Sequence, residues 1–187
     1  MSATATPTQR TIYNPLQKDW ATFLETAEES GGARTRIELV VAPGGGNMPH
    51  IHLTYAESFE VVEGRLQVLR GKEWHDLGPG ESAHVPAGVV HCFKNVTDAP
   101  VTCIVVLDPG PRGMEKALQA GYGLAADELV DGRGLPRNPF QMAVLMEWSE
   151  MRVTGALRLA VPLFHLLGVI ARRRGVDREL EARYVKY

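Results

Sequence analysis

Apolar residues recur at every second position along the first part of this chain. Between Arg34 and Asp108, Ile37-Leu39-Val41, Leu66-Val68, Ala83-Val85 and Val101-Cys103-Val105 each put one face inward, the alternation of a half-buried strand. Turn signals punctuate the same stretch at Pro43-Gly44-Gly45-Gly46, Gly64, Arg70-Gly71-Lys72, Gly78-Pro79-Gly80, Pro86-Ala87-Gly88 and Asp98-Ala99-Pro100. Short strands broken this often predict an all-β sandwich or barrel. Asp108-Pro109-Gly110-Pro111 closes the pattern, because two prolines and a glycine cannot continue a ladder. From Arg112 the period turns helical: a helix over Met114–Ala120, a loop through Gly132–Pro139, and a long segment from Phe140 to about Arg174. Asn138-Pro139 suits a helix start, Pro162 is expected to kink or split the long segment, and Gly175 to end it. The organisation expected is a flexible arm over 1–12, a β-barrel over 13–110 and a helical extension over 111–187.

Within the extension, Val153–Ala171 is a mostly apolar run approaching membrane-spanning length. Arg158 and His165 interrupt it, and with Arg172 they are spaced by seven, so they line one narrow stripe and leave a broad apolar face. That pattern favours a helix packed on the barrel or on a second subunit. A peripheral membrane contact is the alternative, and Arg172-Arg173-Arg174 suits either a helix C-terminus or lipid headgroups.

The chain has 187 residues, 20 Lys+Arg and 22 Asp+Glu, for a net charge of −2. The charge is uneven: residues 1–110 carry 8 basic and 13 acidic side chains, residues 111–187 carry 12 and 9. No strong positive field exists to hold a polyanion, so nucleic acid is not an expected partner. Two cysteines, Cys92 and Cys103, cannot build a disulfide framework. They could face each other across a hairpin turning near Thr97-Asp98, but free thiols are expected. The stretch MSATATPTQRTIY has no apolar core of the secretory kind, and a cytoplasmic location is the expectation.

One constellation carries the chemistry. Gly44 is followed after five residues by His50-Ile51-His52, after four by Glu57 and after six by Gly64; Gly80 is followed after five by Pro86-Ala87-Gly88, after two by His91 and after three by Asn95. On an extended strand His50 and His52 point to one face, placing two nitrogen ligands side by side. Glu57 adds a carboxylate from the next strand, and His91, after a Pro-x-Gly turn, adds a third imidazole. Three imidazoles and one carboxylate meeting inside a barrel make a site for a divalent transition metal. His75, in a hairpin arm, and His84, on the face opposite Ala83 and Val85, are expected outside this set, and His165 is expected at an interface.

The spacing resembles the two signature patterns of the cupin superfamily, G-x5-H-x-H-x4-E-x6-G and G-x5-P-x-G-x2-H-x3-N, with every defining position met. Either pattern arises by chance on the order of 10⁻⁴ per sequence of this composition. The resemblance covers about Arg34–Asp108 and leaves Pro111–Tyr187 outside it. It implies a jelly-roll barrel open at one end, here with a C-terminal α-helical extension, and His50, His52, Glu57 and His91 as ligands of one divalent ion (Fe, Mn, Ni, Cu or Zn). Phe59 and Phe93 are expected to wall the substrate pocket, and Tyr55, between the ligands, to offer a hydroxyl to substrate. Proteins resembling this barrel are often dimers, and a homodimer is expected.

Three functions stay open at this level. The first is a dioxygenase acting on a small enol, diketone or phenolic substrate chelated at the metal, with Glu57 doubling as a base. The second is a Lewis-acid isomerase, cyclase or lyase using the same ion to polarise a carbonyl. The third is a non-catalytic protein that binds or senses a small molecule, with the basic helical tail reporting it.

Overall fold

A computed structural model describes residues 10–153 and 161–187. Eleven strands and four helices are defined among the described residues. The strands are β1 (Thr11–Asn14), β2 (Asp19–Glu25), β3 (Thr35–Val41), β4 (His50–His52), β5 (Ala56–Glu63), β6 (Leu66–Arg70), β7 (Glu73–Leu77), β8 (Ser82–Val85), β9 (His91–Lys94), β10 (Val101–Asp108) and β11 (Met151–Val153). They form two antiparallel sheets, β1-β2-β3-β10-β5-β8 and β11-β4-β9-β6-β7, and with the helices beyond them make the expected jelly roll with a C-terminal helical extension.

The alternation read from the sequence is the alternation of the core. Ile37, Leu39, Val41, Leu66, Val68, Ala83, Val85, Val101, Cys103 and Val105 are all buried in one cluster. Strand register lines them into rows across the first sheet; one row runs Phe23, Ile37, Val105, Phe59, Ala83. Such rows fix register, because a one-residue slip would turn the whole apolar set outward. Phe59 of the first sheet meets Phe93 of the second across the interior, ring centroids 6.0 Å apart.

Three expectations come out differently. The two cysteines do not face each other: Cys92 lies on β9 opposite Leu69, Cys103 on β10 between Leu39 and Val61, in different sheets. The link between β9 and β10 is a crossover between sheets, held by Asn95, whose side-chain amide donates to the Val41 and Ala99 carbonyls while its oxygen accepts from Thr97. Pairing reaches further toward the N-terminus than the period suggested: Thr11 and Ile12, at the end of the stretch read as an arm, pair with Thr22 and Ala21 in β1.

The third difference concerns the long helix from Phe140. Among its described residues it holds a helix, a short strand and a second helix. α1 (Arg112–Ala126) and α2 (Pro139–Trp148) precede β11, and α3 (Val161–Arg173) and α4 (Val176–Tyr184) follow. Asn138 caps α2 as expected, its side chain accepting from the Phe140 N–H at 2.9 Å. Ser149 closes α2, Glu150 takes a left-handed backbone (φ 50°), and Met151–Val153 then pairs with β4, Met151 opposite His52 and Val153 opposite His50. The bare edge of β4 offers unpaired backbone groups that a helix could not satisfy and a strand can. Pro162 lies at the N-terminal edge of the described part of α3. Arg158 lies outside the described residues.

The helices build a second small core from Ala120, Leu124, Ala125, Val144, Ala171 and Leu180. α1 joins the two cores. Its Glu115 is buried and accepts from the Ala27 N–H and the Thr35 hydroxyl, both at 2.6 Å, and its Tyr122 enters the barrel core and donates to Asp19 at 2.9 Å. His165, Leu163 and Leu166 are exposed on α3. Among the described residues no helix is long and apolar enough to cross a membrane.

Candidate metal centre

Strand alternation delivers the four candidate ligands. His50 and His52 are buried on β4 with Ile51 half-buried between them. His91 opens β9 and pairs with His50 across the same sheet. Glu57 comes from β5 of the opposite sheet, in register with Leu107 and Val85. The site therefore bridges the two sheets. The turn before His91 is fixed by Gly88, at φ +81°, whose N–H donates to the His52 carbonyl at 2.7 Å; a left-handed residue there favours glycine.

One ligand atom from each of His50, His52, Glu57 and His91 lies within 4.8 Å of all the others. The His50 and His52 Nε2 atoms are 3.0 Å apart, His91 Nε2 is 2.8 Å from Glu57 Oε2, and His52 Nε2 is 3.7 Å from the same oxygen. The opposite ring nitrogens all face oxygen: His50 Nδ1 the Met48 carbonyl at 2.8 Å, His91 Nδ1 the Val89 carbonyl at 2.9 Å, His52 Nδ1 the Tyr55 hydroxyl at 2.6 Å. A carbonyl can only accept, so His50 and His91 carry a proton on Nδ1 and turn Nε2 inward. Metal-binding histidines are held this way, the outer N–H anchored and the inner nitrogen aimed.

The electrostatics follow from burial. Desolvation lowers the His50 imidazole, with His91 adding to it, and takes His52 down to about 3. These two rings are neutral at ordinary pH, and neutral imidazole is the form that ligates. Burial pushes the Glu57 carboxyl up, but the hydrogen bond to His91 and the surrounding imidazoles outweigh it and hold Glu57 below its usual range. The same pairing outweighs burial at His91 and raises that imidazole. Two neutral imidazoles with nitrogens 3.0 Å apart, beside an anionic oxygen, require a cation or a proton between them. The donor set fits a divalent transition ion.

The other residues singled out fall as follows. Phe59 and Phe93 are buried in the barrel interior. Tyr55 is buried rather than turned to a cavity: its hydroxyl is engaged by His52 and donates to the Ser149 carbonyl at 3.0 Å, which differs from the expected substrate-facing hydroxyl. His84 is exposed and bonded to Ser58; His75 is half-buried opposite Val68 on β7. Two residues escaped the sequence pattern. Ser149 touches the site through a contact 94 positions away from Tyr55. Asp19 is fully buried with Oδ1 unpartnered; the only trace of it in sequence is a charge at an inward position of an alternating strand.

Residues 37–107 match the cupin domain family. This stretch is a cupin domain. The match contains all four candidate ligands and ends at the last residues of β10. Among curated relatives, germin-like protein 3-7 of Oryza sativa subsp. japonica is 33% identical over 106 residues, 54% of this chain and 44% of its own length. Mannose-1-phosphate guanylyltransferase of Salmonella muenchen is 29% identical over 113 residues, 60% of this chain and 21% of its own. The chain spans less than half the length of these relatives. Among solved structures, a predicted oxalate decarboxylase from Thermotoga maritima superposes with a TM-score of 0.51 at 14% identity, covering 57% of this chain and 98% of its own. At that identity the likeness is one of fold.

Proposed function

We propose that this cupin holds one divalent, redox-active transition ion at His50, His52, Glu57 and His91 and is an oxidoreductase, a dioxygenase for a small enol, diketone or phenolic substrate. The observation that supports the reading is a single one: three imidazoles and one carboxylate from opposite sheets converge on one buried point. Four protein donors leave one or two positions on an ion of higher coordination number, and when bound the ion supplies Lewis acidity and a one-electron couple there. The chain's own residues do the rest. His50 and His91, anchored through Nδ1, keep their inner nitrogens in place. Glu57, held anionic, can accept the proton of a substrate hydroxyl on a carboxylate oxygen. Phe59 and Phe93 keep water from the oxidised product.

The test is elemental analysis of freshly isolated protein paired with oxygen uptake against enols, diketones and catechols. Redox-active metal with uptake is the expected result. Zinc without uptake would overturn the oxidative assignment and select carbonyl polarisation, the isomerase or lyase chemistry, at the same four ligands.

A further inference from the structure

We propose that Asp19 and Tyr122 form a proton-dependent latch that seats α1, and with it the helical extension, on the barrel. Asp19 opens β2 at an inward position, in line with Ala21 and Phe23, and is fully buried. Its Oδ2 accepts from the Tyr122 hydroxyl at 2.9 Å, and its Oδ1 has no partner. Tyr122 is itself buried and carries α1 into the barrel core. Among the described residues, the one side-chain partner of this carboxyl therefore comes from the extension, across the joint between the two cores. Ala120, Leu124 and Ala125 of the same helix pack with Val144 of α2 and Leu180 of α4, so what unseats α1 reaches the rest of the extension.

Among the described residues no cation balances Asp19. β1 brings Asn14 opposite it, whose side-chain oxygen already accepts from the Leu16 and Gln17 N–H groups. β3 places Val41 beside it and turns Arg36 and Glu38 to the other face. β10 and β5 contribute Cys103 and Glu57; both carboxyls add to burial in raising that thiol. On α1, Arg112 pairs with Glu28, Glu115 is held by the Ala27 N–H and the Thr35 hydroxyl, and Lys116 pairs with Glu181. Tyr187 rests against Phe23 with its own hydroxyl buried and unpartnered, and Lys18 is exposed. A carboxylate stripped of water, with one hydroxyl and no positive charge, is costly, whereas the neutral acid costs far less. The seated latch therefore keeps a proton, and burial takes the carboxyl up to about 7. Lifting α1 wets Asp19 and lets that proton go. Seating is thus strongest in acid and weakens as pH rises from 3.8, the ordinary Asp value, toward about 7. Above that both forms are ionised and the effect levels off. The latch is independent of what the metal centre binds.

The experiment is amide hydrogen exchange of the full chain, corrected for intrinsic rates and followed over a pH series that spans the Asp19 titration. For the α1 amides of residues 118–124, the opening equilibrium should rise about tenfold per pH unit up to about 7 and flatten above it. These amides should also be less protected than those of residues 103–107 in β10. Asp19→Asn keeps an oxygen for Tyr122 but has no proton to release, so its α1 opening should lose this slope. Flat α1 opening in the wild type overturns the proposal, and so does an undiminished slope in Asp19→Asn. Equal protection of α1 and β10 at every pH also overturns it, since α1 would then leave only with the whole fold. If Asp19→Asn does not fold, the wild-type Asp19 carboxyl is titrated by its ¹³C resonance instead, and a midpoint in the ordinary Asp range overturns the latch.

Discussion

Two carboxyls are buried in the same barrel, and burial pushes both upward, yet they end on opposite sides. Glu57 sits among three imidazoles; burial pushes its carboxyl up, but the hydrogen bond with His91 and the three imidazoles together outweigh that and keep it anionic. Asp19 has one tyrosine hydroxyl for company and an oxygen with no partner, so desolvation prevails and its carboxyl rises to about 7. The difference lies in whether the neighbours can carry positive charge, since a hydroxyl can share a hydrogen bond but cannot neutralise an anion. One end of the barrel is arranged for a cation; the other tolerates a carboxyl only by letting it keep its proton.

Removing ligands breaks this comparison most sharply. His52→Ala should abolish bound metal by elemental analysis with a β-rich circular dichroism spectrum retained, and Glu57→Gln should weaken Zn(II) binding by ~100-fold or more, because the anionic donor is gone. Asp19→Asn should leave that affinity within twofold; a comparable loss there would erase the distinction between the two carboxyls.

A pH series sharpens it next. Metal must displace the proton that Glu57 holds on His91, and the His91 imidazole is raised, so affinity should fall about tenfold per pH unit below its protonation point. A chelator competition series from pH 5 to 8 with a flat response would show that no proton is exchanged.

Stability gives a smaller effect of opposite sense. Between 3.8, the ordinary Asp value, and about 7, the folded chain holds a proton on Asp19 that the unfolded chain has released. Stability contributed by this group therefore declines as pH rises through that window, by on the order of 2–4 kcal/mol. Denaturant unfolding of wild type and Asp19→Asn at stepped pH should show the decline only in the wild type; parallel pH profiles would contradict it.

The smallest expected effect lies in the extension. A side chain at Gly113 would collide with the Trp148 carbonyl oxygen, one residue before Ser149. Gly113→Ala should cost ~1–3 kcal/mol in unfolding by strain at that contact. A neutral substitution would mean that α1 and the end of α2 are not tightly seated.

Strands β3, β6, β8 and β10 were legible because each buries alternate residues, and period two is the direct consequence. The four ligands were legible because two neighbouring strands and two glycine-marked turns fix where they fall. β11 was not. Met151-Arg152-Val153 sits inside an apolar helical period, three residues are too few to show a period of their own, and what makes them a strand is the unpaired edge of β4 nearly a hundred positions earlier. The crossover between β9 and β10 hid for a related reason, since a short apolar-polar-apolar passage reads equally as a hairpin.

What the chain decides locally is therefore the strands with an alternating face, the helix start at the capping residue Asn138, and the ligand quartet, all governed by neighbours within a few positions. What only the folded molecule decides is which oxygen stands behind each imidazole and which carboxyl keeps its charge. Those depend on carbonyls, hydroxyls and desolvation brought together from distant segments, and a hydrogen bond or a buried charge takes its energy from whatever surrounds it in space, irrespective of its place along the chain.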